Sequence, residues 1–230
     1  MKILINGDSH TAGAEAVNAH AFAEDDHRYK HLHRQPHPDN LRVSWGQKLG
    51  EMLKMGTTIL AESASSNDRI LRTTNEWLNN HGNDVFVIIQ WSTWEREEWL
   101  IDGNYHQITA SGLDSVPDSH RQKYKEFVAD GWNGFRREHH WHVRIRAFHE
   151  YLTKQHIPHL FFNGNSWFKK VKAPYDWGLS YWEPYTSSYH DWLQHNGHRT
   201  VSSDSYHYDE RAHGAWARHM MRHILDNKLI

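Results

Sequence analysis

The two ends of this chain carry residues that could carry out nucleophilic chemistry together. Near the start, Asn6-Gly7-Asp8-Ser9-His10-Thr11-Ala12-Gly13 follows the apolar run Lys2-Ile3-Leu4-Ile5. A β-rich run that stops at a glycine reads as a strand ending in a sharp polar turn. In an open α/β sheet, ligands sit outside the carboxyl ends of the strands, so Ser9 is expected to face a site. A serine hydroxyl attacks well only when a base takes its proton and a third group holds that base. Near the other end, Asp204-Ser205-Tyr206-His207 sets a carboxylate three positions before an imidazole, just ahead of a helical run from Asp209 to Leu225. Asp204 is expected to fix the tautomer of His207, and His207 to deprotonate Ser9.

The elements between must bring these ends together. Val43 to Leu53 has apolar side chains at helical intervals, with Ser44 a cap, and Thr57 to Ala61 is a short strand followed by a polar turn and a helix from about Asp68 to Asn80. Val85-Phe86-Val87-Ile88-Ile89-Gln90-Trp91 is nearly uniformly apolar, as in a parallel strand buried on both faces. Its end delivers Ser92, Thr93, Trp94, Glu95 and Arg96. Arg96 suits two uses equally, a grip on an anionic or hydroxyl-rich substrate and a brace to Glu97 or a loop carbonyl. A helix from Phe135 to Gln155, a strand from Pro158 to Asn163 and a short helix from Asp191 follow. The pattern predicts one domain over 1–230, a three-layer α/β/α sandwich on a parallel, flavodoxin-like sheet, with long loops at about 14–41, 102–134 and 165–190. Loops of that length are expected to form a lid or rim.

Gly7-Asp8-Ser9 after a first strand, together with Asp204-x-x-His207 before the last helix, resembles the SGNH/GDSL hydrolases, serine esterases and lipases on a flavodoxin-like sheet. The resemblance spans almost the whole chain, and its short blocks are similar to those of members encoded by bacteriophages and bacteria. It implies a Ser9-His207-Asp204 triad and an oxyanion hole opened by the Ser9 N–H. The family's second block supplies a glycine N–H, whereas Ala61-Glu62-Ser63-Ala64-Ser65-Ser66-Asn67 contains no glycine, so Ala64 or Ser65 must donate. The third block's asparagine is replaced by Trp91-Ser92-Thr93-Trp94. Asn67 is the expected substitute, ahead of Thr93. An N-cap role for Asn67 is weighed equally.

Composition bounds the rest. Lys and Arg total 26 against 28 Asp and Glu, which leaves no electrostatic footprint for nucleic acid or an anionic membrane. The absence of cysteine excludes thiol nucleophiles and disulfides and is compatible with a cytoplasmic location. The N-terminal apolar run is too short for a signal peptide or membrane span. With 22 His and 12 Trp, aromatic loops around the site suggest a small-molecule or glycan ester, plausibly an O-acyl carbohydrate, although rings also fill cores. No cofactor or metal is expected, and the histidines at 27, 31, 33 and 37 read as surface residues. His213 is expected to pack against the Asp204 loop. Two rival readings stand: a metallophosphoesterase built on Asp8-x-His10, and a non-catalytic glycan-binding or structural protein on a degenerate hydrolase fold.

Overall fold

The computed structural model of the chain describes residues 1–21, 35–110, 116–130 and 134–230. The histidines at 27, 31 and 33 lie outside them. In chain order the elements are β1 (Lys2–Asn6), α1 (Ser9–Ala12), α2 (Pro38–Arg42), α3 (Trp45–Leu53), β2 (Thr57–Ile59), α4 (Asn67–His81), β3 (Val85–Trp91), β4 (Glu97–Ile101), β5 (Asn104–Ile108), α5 (Arg121–Asp130), α6 (Gly134–Lys154), β6 (His159–Asn163), α7 (Tyr189–His195) and α8 (Glu210–Asp226). The main sheet is parallel, in the order β2-β1-β3-β6.

Alternation along the strands sorts the core into two halves. Ile3, Ile5, Phe86, Ile88, Leu160 and Phe162 pack with Trp45 and Leu49 of α3, Leu193 of α7 and Trp216 and Met220 of α8. Leu4, Val87, Ile89 and Phe161 pack with Ile70 and Leu78 of α4 and Trp141, Ile145 and Phe148 of α6. Helices therefore cover both faces, as β3, buried at all seven positions, requires. Ser44 caps α3 by accepting from Gln47 N, and Asp209 caps α8 by accepting from Ala212 N.

Two of the expected loops have their own structure. Within the 102–134 segment and just before it, β4 and β5 form an antiparallel hairpin, joined by Asp102 and Gly103 with φ of 49° and 79°. That pair of positive φ values is the requirement of a type I′ turn, which Asp-Gly meets. A satellite core of Trp99, Ile101, Ile108, Val116, Tyr124 and Phe127 holds the hairpin on α5. The 165–190 segment is not an open rim. Phe168, Trp177, Tyr181 and Trp182 are buried, and the chain runs along the outer edge of β6 in a parallel bridge between Phe161 and Tyr181. This covers a sheet edge that would otherwise offer unpaired backbone groups.

Candidate active site

Ser9 opens α1 at the carboxyl end of β1, directly after its N-cap Asp8, whose side chain accepts from His10 N. The turn is held from β3 by Gln90, whose Oε1 accepts from Thr11 Oγ1 at 2.8 Å and from Asp8 N at 3.3 Å. Gly7 and Gly164 flank this amide so closely that a Cβ on either would overlap Thr11 and Gln90, or Gln90 alone. Three strand ends thus lock around one glutamine. The Ser9 N–H, at the first helical position, has no partner within the helix.

Asp8 is 1% exposed, and its second oxygen accepts from Ser92 Oγ at 2.8 Å and from Arg96 Nη1 at 3.1 Å. Burial pushes the Asp8 carboxyl up, but His10, the Arg96 guanidinium and the Ser92 hydrogen bond outweigh it and hold the group below the usual carboxylate range. Arg96 braces a loop carbonyl, as one of its expected uses, and its carboxylate partner is Asp8 instead of Glu97. The carbonyl is that of Ser65, at 3.4 Å, which sets the 63–66 turn beside the Asp8-Ser9 turn.

The second-block turn carries a backbone feature that sequence alone did not reveal. Ala64 stands in the left-handed region at φ 62°, the conformation that favours glycine. Its N–H makes no hydrogen bond among the described residues, whereas Ser65 N is taken by Glu62 O at 3.2 Å. Ala64 is therefore the better backbone donor of the two. Asn67 takes neither of its expected roles. Its Nδ2 donates to Ser92 O at 3.2 Å and its Oδ1 accepts from Ser92 N at 2.8 Å, while Ser66 is the cap of α4. Fully buried, it staples α4 to the end of β3. Thr93 is half-buried and makes no hydrogen bond among the described residues.

The carboxylate on His207 is Glu15, not Asp204. Glu15 Oε2 accepts from His207 Nδ1 at 2.8 Å and also from the Ser205 hydroxyl. Asp204 is exposed and makes no hydrogen bond to the imidazole, because its turn, closed by Ser205 N on Ser202 O, faces solvent. Glu15 reaches the ring from the other side because its backbone is left-handed, at φ 62°, two residues past the left-handed Gly13. Burial raises the Glu15 carboxyl, but hydrogen bonds from Ser205 and His207 prevail and keep it ionised below its ordinary value. With Nδ1 committed to Glu15, Nε2 of His207 is left for chemistry.

His207 makes no hydrogen bond to Ser9 among the described residues, and His10, the next residue after Ser9, links the two segments. Its ring lies 5.4 Å from that of His207, edge-on, and 5.4 Å from that of Tyr189. Burial pushes His10 down to about 3 despite Asp8. His213 is buried, but the partner it takes is on α3 and not on the Asp204 loop: its Nδ1 accepts from Trp45 N at 3.2 Å.

No curated protein and no solved structure matches the chain. A family model matches residues 30–200, a span that includes Ala64, Asn67, Ser92 and Arg96 and lies between Ser9 and His207. On that match the chain belongs to the family of unknown function DUF6071.

Proposed function

We propose that the chain is an SGNH-type serine hydrolase that cleaves an ester, with Ser9 as nucleophile, His207 as base and Glu15 in the place the motif gives to Asp204. The observation that carries this reading is the Glu15-His207 pair, a carboxylate on Nδ1 of an imidazole packed against the residue after Ser9. In the proposed cycle, Ser9 Oγ attacks the ester carbonyl while its proton passes to His207 Nε2. The N–H groups of Ser9 and Ala64 receive the oxyanion. Collapse expels the alcohol, which takes the proton from His207, and water, deprotonated by the same ring, releases the acid.

The substrate is an ester of a small molecule or glycan. The aromatic residues of the 165–190 segment give little support to a carbohydrate, since most of them are core. Tyr206, 69% exposed beside His207, is the ring best placed to meet a substrate. The phosphoesterase reading is less favoured, because the Arg96 guanidinium and the Ser92 hydroxyl occupy the Asp8 oxygen that would face a cation. A non-catalytic role has one observation behind it: Ser9 is only 6% exposed and is not bonded to His207. A fluorophosphonate probe separates these readings. Labelling that is lost in Ser9→Ala supports the hydrolase, and an unlabelled, folded protein refutes it.

A further inference from the structure

Ser205 sits beside the bond between the base and its acid and has no part in the chemistry just described. Its hydroxyl donates to Glu15 Oε2, the same oxygen that accepts from His207 Nδ1, and it accepts from the His207 backbone N–H at 3.0 Å. Hydroxyl, carboxylate and histidine therefore close a ring of three hydrogen bonds. A carboxylate held by His207 alone can swing on its own torsions, and Glu15 has one more than an aspartate would. The second donor on Oε2 removes that freedom, and the backbone bond ties the hydroxyl to the residue that it serves. Since Glu15 and Ser205 are 190 residues apart in the chain, the same hydroxyl also pins the loop after α1 to the loop before α8. Glu210 N adds to that seam by donating to Ala16 O at 3.3 Å.

We propose that Ser205 is a positioning residue that clamps the Glu15 carboxylate onto His207 Nδ1. This rests on the hydrolase reading only for its kinetic consequence, because the clamp has a signature independent of activity. The Nδ1 proton of an imidazole bonded to a carboxylate exchanges slowly and resonates downfield of the amide region. In the whole protein this proton NMR resonance is expected, and it is expected to vanish in His207→Gln and in Glu15→Gln. In Ser205→Ala it should move upfield and broaden, with fluorophosphonate labelling of Ser9 slowed about tenfold, the loss typical of one charge-assisted hydrogen bond. Ser205→Thr keeps the hydroxyl and should restore both, and it serves as the folded comparison where the alanine variant is unstable. An unchanged resonance in folded Ser205→Ala, or its absence from the unsubstituted protein, overturns the clamp. A resonance that responds to Ser205 in a protein that the probe never labels overturns the hydrolase reading and leaves the clamp standing.

Discussion

Glu15 and His207 meet at 2.8 Å across 192 residues of chain, with the carboxylate on Nδ1 of the imidazole and Ser9 six positions before that carboxylate. On the proposed reading, this pair makes Asp204 dispensable. Glu15→Gln should lower kcat for a model ester by about two to four orders of magnitude, as loss of the orienting acid does in serine triads. Asp204→Asn should leave kcat within about twofold, since exposed substitutions away from a network have small effects. Steady-state hydrolysis by the two variants, side by side, decides which carboxylate serves the base.

Asn67→Ala should act on stability first. The lost amide leaves Ser92 N–H and C=O unpaired in a sealed site, which costs about 2–4 kcal/mol for the two groups. A lowered melting temperature with unchanged labelling per folded molecule is the expected outcome. A hundredfold loss of kcat at constant melting temperature would restore Asn67 to the oxyanion hole.

Arg96 and Asp8 form a buried pair in which breaking one side is worse than losing both. Arg96→Met should destabilise by about 3 kcal/mol because it strands the Asp8 charge. Adding Asp8→Asn should recover part of that loss, a coupling that urea denaturation of the four proteins would measure as a double-mutant cycle.

Acid should weaken the fold well before its carboxylates titrate. Burial holds His159 down at about 4, with His149 bonded to it at 2.8 Å, and holds His213 at about 3. Their unfolded values are 6.5, so as pH falls the unfolded chain takes up protons first. The stabilisation is complete above about pH 6.5 and is lost as pH drops toward 4. For His159 alone, the loss at pH 5 is about 2 kcal/mol. Stability measured from pH 7.5 to 4.5 should show this slope, and His159→Gln should make it shallower while His213 keeps the rest.

Much of the scaffold was legible. Four strands and the helices covering both faces followed from periodicity, and caps such as Ser44 from residue type. The β4-β5 hairpin was missed although Asp102-Gly103 announces it, because polar residues are buried on both of its faces, Glu98 and Gln107 on one and His106 on the other, which breaks the apolar alternation. Arg72 pairs with Glu98 from α4 at 2.8 Å, a tertiary partner that local pattern cannot supply. The carboxylate partner of His207 was not legible for a related reason. Asp204 has the right spacing in the chain, whereas Glu15 has the right direction in space, which a left-handed backbone sets and no side-chain pattern records. For Asn67, the residue type suggested an amide donor, but the carbonyl that takes it lies on another strand end.

The seam between the loop after α1 and the loop before α8 also bears on synthesis. A ribosome releases Ser9 and Glu15 well before His207, so on the proposed reading the nascent chain first holds a nucleophile and an acid without their base. Contacts across 192 residues form late, because closing so long a loop precedes any gain from it. On the proposed reading, translation itself keeps the enzyme silent: a chain stalled before residue 207 can build β1, β3 and the Gln90 lock and still cleave nothing.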